Sequence, residues 1–150
     1  MKKSFILASA LLMFSCATTK GKTEPEKDKA KKEIIEGALS KTEIEEEIRR
    51  NLRFIKQCYE DELKEADKNS AFFKAPTLRI MTDFSINTEG KVTSSEAILD
   101  PGQVNSLKGT QEIKNLEFCI ADVILNYKFQ KPRGGGIVTV KYPFVFSSQK

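Results

Sequence analysis

The period of apolar positions changes along this chain, and each change marks an element. Ile44, Ile48, Leu52, Ile55, Tyr59 and Leu63 recur at intervals of 4, 4, 3, 4 and 4 residues. That spacing draws one stripe on a helix of about six turns. The helix is expected to start near Ser40 or Thr42, because Thr42 with Glu45 three residues on reads as a capping box. Glu43, Glu45, Glu46 and Glu47 in its first turns complement the helix dipole. Alternation then takes over. Leu78, Ile80, Phe84 and Ile86 alternate with Arg79, Asp83 and Ser85, the period of a half-buried strand. Asn87-Thr88-Glu89-Gly90 reads as a hairpin turn, and Val92 to Leu99 as the returning strand. Val92 and Ala97 differ in parity, which predicts a bulge or an imperfect register. Asp100-Pro101-Gly102 ends that strand, and residues 100–110 read as a polar loop. Ile113, Leu116, Ile120, Val123, Ile124 and Tyr127 return to helical spacing. Gly134-Gly135-Gly136 then leads, as a flexible approach, into a strand where Val138, Val140, Tyr142, Phe144 and Phe146 share one parity.

The order helix-strand-strand-helix-strand predicts an α+β domain over residues 41–150, with both helices on one face of a three-stranded sheet. A right-handed return through the second helix carries the last strand past the second and beside the first, giving the order 2-1-3. Pro143 agrees, because proline within strands is largely confined to sheet edges.

The chain's beginning is of another kind. Lys2 and Lys3 precede an apolar run that ends at Ser15-Cys16, too short to span a bilayer as a mature helix. This resembles a bacterial lipoprotein signal, which implies removal of residues 1–15, acylation of the Cys16 thiol with a fatty acid such as palmitate, and attachment to a membrane. A plain secretory peptide with an unmodified Cys16 is the alternative. Residues 16–40 read as the lipidated end and a charged spacer, whose first half is of mixed sign and has too little apolar surface to fold. Its 24 residues after Cys16 would reach roughly 25–30 Å as a flexible chain. Ala17, where an aspartate would signal retention, favours by the same resemblance the outer membrane, facing the periplasm. Without Lys2 and Lys3 the 25 basic side chains become 23, against 21 acidic. So small a surplus argues against a nucleic-acid partner.

Export also changes how the cysteines read. With Cys16 lipidated, Cys58 and Cys119 remain, and in an oxidising compartment two can pair. Each lies at the margin of its helix's apolar stripe, so packed helices would bring them within reach. Closing a loop of about 60 residues stabilises by roughly 4 kcal/mol on the chain-entropy model. Two buried thiols or a redox pair are the alternatives, although no Cys-X-X-Cys spacing and no histidine is present to support redox chemistry.

These residues carry a further resemblance. Ile55-Lys56-Gln57-Cys58-Tyr59-Glu60 is followed by Phe84-Ser85-Ile86-Asn87-Thr88-Glu89-Gly90-Lys91-Val92, then Leu116-Glu117-Phe118-Cys119-Ile120. Phe129-Gln130-Lys131-Pro132, the triple glycine and Val138-Thr139-Val140-Lys141-Tyr142-Pro143-Phe144-Val145-Phe146 complete the set. Over about residues 44–146 the chain resembles the AgmX/PglI C-terminal domain family, a TonB-like module. The segment Lys68 to Pro76 departs from the short proline-glycine approach usual there. The resemblance implies a TonB-like fold and an exposed edge on the last strand, where a partner's extended segment pairs. Ile137, Thr139, Lys141 and Tyr142 are the expected contact residues on that edge.

Three functional classes follow. A binding module in an envelope complex, serving motility, adhesion or transport by analogy, would use the edge-strand backbone for affinity. The partner would be another envelope protein, and a homodimer through the same edge stays open. A structural tether would instead hold cell wall, but the absence of tryptophan and the presence of only three tyrosines favour polypeptide over glycan. An enzyme is disfavoured. Histidine, the usual general base and commonest metal ligand, is absent. The carboxylates at Glu45 to Glu47, Glu60 and Asp61 read as a solvated face. Ser94-Ser95 and Ser147-Ser148 lack an adjacent base, and the glycine run lacks the Lys and Ser/Thr of a phosphate loop. No catalytic residue, metal site or cofactor is expected.

Overall fold

The computed structural model describes residues 37–103 and 105–147. The signal, Cys16 and the spacer before Gly37 lie outside the described residues. Helix α1 spans Lys41–Glu65 and the single-turn helix α2 spans Ala71–Lys74. Strands β1 (Thr77–Ile86) and β2 (Val92–Leu99) follow, then a 3-10 turn at Asn105–Leu107, helix α3 (Gln111–Leu125) and strand β3 (Val138–Ser147). The fold is α+β. The described residues form a three-stranded antiparallel sheet of order β2-β1-β3, as the strand pattern and Pro143 predict.

Helix α1 begins two residues earlier than the Thr42–Glu45 box would place it. Ser40 is the cap: its Oγ accepts from the Glu43 N–H at 3.3 Å, and the Glu43 carboxylate accepts from the Ser40 N–H at 2.6 Å. The stripe holds as read, with Ile48, Ile55 and Tyr59 buried and Ile44, Leu52 and Leu63 half-buried. Helix α3 is capped by Thr110 and buries Ile113, Leu116, Ile120 and Ile124. Tyr127 lies just beyond its end but remains in the core.

Leu78, Ile80, Thr82, Phe84 and Ile86 of β1 all face inward. Thr82 is tolerated there because its hydroxyl donates to the Tyr142 carbonyl at 2.8 Å. The expected bulge falls early in β2: Ser85 pairs with Ser94 but Ile86 with Val92, so Thr93 is the extra residue. That insertion lets Val92, Ala97 and Leu99 all be buried despite their parity.

Two core pieces escape the periodicity. Phe72 on α2 is buried, with its ring centroid 5.9 Å from that of Tyr59. Leu107, inside the stretch read as a polar loop, is buried as well. Helices α1 and α3 run past each other in opposite directions, joined by a Cys58–Cys119 disulfide (Cα–Cα 5.9 Å) and by a hydrogen bond from Asn115 to Glu62 at 3.3 Å.

Candidate functional site: the outer edge of β3

Successive backbone groups along a strand point to opposite sides. The Tyr142 carbonyl accepts from Thr82, so Tyr142 and the other even-numbered residues of β3 turn their backbone toward β1. On the other side, Arg79 accepts from Asp100 near the end of β2. By alternation, Thr139, Lys141, Pro143, Val145 and Ser147 turn their N–H and C=O groups outward. No strand of the described residues pairs with that side. Pro143, without an N–H, leaves one gap in the row of outward donors.

Beside the distal half of this edge lies a groove of about 640 Å³ between α1 and β3. Leu52, Tyr59 and Leu63 of α1 and Phe146 of β3 form its apolar part, while Lys56 and Glu60 stand exposed on the helix. The Tyr59 ring stacks on Phe146 (centroids 4.8 Å, interplanar angle 21°), an arrangement that contributes about 0.5–1.5 kcal/mol beyond area burial. Burial pushes the Tyr59 phenol above its ordinary range. At the helix end, hydrogen bonds from Lys64 and Gln57 hold Asp61 below its usual value. Partial burial raises Glu62 against the hydrogen bond from Asn115. What the arrangement offers chemically is a row of outward backbone donors and acceptors, paired with no strand of the described residues, beside an apolar slot suited to an extended polypeptide.

The expected edge residues separate into distinct roles. Thr139 and Lys141 lie on β3 with outward backbone groups, and Lys141 also pairs with Asp83 across the open sheet face at 3.5 Å. Tyr142 faces β1 with its backbone and contributes its half-buried ring to the groove, tilted against Phe144 at 5.0 Å. Ile137 precedes the strand, and its carbonyl already accepts from the Gly37 N–H at 2.9 Å. Cys58 and Cys119 are brought together, whereas Cys16 lies outside the described residues.

Sequence reasoning missed Val145, which is 57% exposed, and the groove side of α1. Leu52 and Leu63 carry the same stripe signal as true core residues. Within the glycine run Gly134 and Gly135 form a left-handed turn (φ 81° and 69°), and the chain before α1 bonds to Arg133 and Ile137 on either side of the run. Among the described residues there is no cluster of three His, Cys, Asp or Glu side chains able to hold a metal ion, and no helix long and apolar enough to cross a membrane. No protein-family model matches this chain, and neither a curated protein nor a solved structure matches it.

Proposed function

We propose that this chain is a periplasm-facing lipoprotein of the outer membrane, anchored through Cys16. Its TonB-like domain, of the AgmX/PglI C-terminal type, is a non-enzymatic binding module in an envelope complex. The observation that carries this reading is the outer edge of β3, which no strand of the described residues pairs, lying beside the α1 groove. A partner's extended segment pairs with the outward groups of Thr139, Lys141, Val145 and Ser147, and its inward-facing side chains enter the groove.

Pro143 shapes the choice of partner. Antiparallel self-pairing centred on the free stretch would set Pro143 opposite Pro143 of a second copy and remove two central hydrogen bonds. Proline in such a place guards an edge against its own kind. A short segment of a different protein, tolerating one missing bond, fits better than a homodimer.

The test is a photo-crosslinking residue at Thr139, and separately at Val145, illuminated in living cells. A discrete adduct with another envelope protein supports the reading. An adduct of the chain with itself overturns the heteromeric choice. No adduct at either position, with the protein sedimenting with cell-wall sacculi, replaces the reading with a structural tether.

A further inference from the structure

The residues just before α1 are fastened to the same edge. The Gly37 N–H donates to the Ile137 carbonyl at 2.9 Å, and Ala38 and Arg133 exchange two backbone hydrogen bonds of 2.9 Å each. The Arg133 guanidinium then reaches Glu43 with contacts of 2.9 and 3.2 Å. That carboxylate is the one closing the capping box on Ser40, so Glu43 clamps both the helix start and the docked loop. Glycine makes the approach feasible. A Cβ on Gly37 would lie 2.5 Å from the Gly136 carbonyl oxygen and 2.9 Å from the Pro132 Cβ. Ile137 is odd-numbered, so the carbonyl taken by Gly37 belongs to the outward row of the edge.

We infer that Gly37–Ala38 is a latch: a strap that closes the proximal end of the β3 edge and opens as a unit while the domain stays folded. Its attachments are backbone hydrogen bonds near the surface and an ion pair whose arginine is 65% exposed. Ala38 is exposed, and the nearest apolar support is Leu39, half-buried against the core, about which the strap swings. Segments with few apolar contacts and solvent-facing hydrogen bonds open far below the global unfolding free energy.

Opening frees the Ile137 carbonyl and lengthens the available edge toward the anchor. A closed latch therefore stops an incoming strand at Thr139, and a strand that pairs to Ile137 displaces the strap. By reciprocity, whatever releases the strap, including a pull from the anchored end of the chain, favours the longer pairing. This consequence rests on the edge-pairing reading, while the latch itself does not need a partner.

Amide-resolved native-state hydrogen exchange on the full chain tests the latch. Gly37, Ala38 and Arg133 are expected to exchange together, on the order of 100-fold faster than Ile80 and Phe84. Gly37→Ala is expected to speed exchange at Ala38 and Arg133 by about tenfold more, with the β1 amides and Tm unchanged. Exchange of the strap only in step with β1, or a Gly37→Ala variant that loses Tm in parallel, overturns it. The coupling is read from photo-crosslinkers in cells. A crosslinker at Ile137 should capture the partner caught at Val145 in the Gly37→Ala background and not in the wild type. Capture at Val145 with equal or no capture at Ile137 in both backgrounds overturns the coupling. Failure at Val145 in both backgrounds overturns the edge-pairing reading and the coupling with it, while the exchange result still decides the latch.

Discussion

Replacing Cys58 and Cys119 together by alanine tests how far the stability of this domain rests on the covalent link between α1 and α3. The cysteines are 61 residues apart in sequence, and on the chain-entropy model closing such a loop lowers the free energy of folding by about 4 kcal/mol. Cys58 is 4% exposed, so alanine, which carries no hydroxyl, avoids the extra cost of burying a serine. For a domain near 100 residues each kcal/mol moves Tm by about 4–8 °C, so the double variant should melt roughly 15–30 °C below the oxidised wild type. Thermal unfolding followed by far-UV circular dichroism reads this directly. Dithiothreitol should bring the wild type down toward the variant and leave the variant unmoved. A variant melting within about 3 °C of the oxidised wild type would refute the reasoning, since that shift is under 1 kcal/mol.

Three further outcomes follow from the same geometry. Leu116→Ala, in a side chain fully removed from solvent, should cost about 2–5 kcal/mol in urea denaturation, while Phe118→Ala, 77% exposed two residues on, should stay within about 0.5 kcal/mol. Glu43 is held at about 2 by hydrogen bonding with the Ser40 hydroxyl first, then with the Ser40 N–H and the Arg133 guanidinium. A carboxyl with a depressed folded-state pKa lends stability above its unfolded value, near 4.5, and loses it as pH falls toward 2. Wild type should therefore melt higher than Glu43→Gln at pH 7, and the gap should close between about pH 4.5 and 2; a constant gap would contradict the assignment. Pro143→Ala restores the missing outward N–H and should make the chain associate through β3 at concentrations where wild type sediments as a monomer; unchanged sedimentation would remove the guarding role given to Pro143.

Elements with repeated local signals were legible in the sequence. The α1 stripe, the β1 alternation and the parity break at Val92 each span enough residues to state a period, and the sheet order followed from chain direction and Pro143. Features decided by distant partners were not. Ser40 and Thr42 are equally able to cap a helix, and Glu43 is drawn to Ser40 with help from Arg133, 90 residues away. Phe72 sits on a helix of one turn, too short to show any period. Leu52 and Leu63 look like core by spacing, and only the position of β3 beneath α1 makes them walls of a groove. Gly37 lies in a stretch whose composition reads as spacer. Its docking depends on a turn at Gly134–Gly135 that nothing local connects to it.

The central claim is that a partner pairs with the outward backbone of β3, and removing one outward donor tests it most directly. Lys141→Pro deletes an N–H on that side and leaves the Val140 and Tyr142 bonds to β1 in place. With a photo-crosslinker at Val145 in living cells, the variant should show its adduct reduced about tenfold, the worth of one hydrogen bond of roughly 1.4 kcal/mol, at unchanged Tm. An adduct of undiminished yield, from a variant as stable as wild type, would contradict edge pairing.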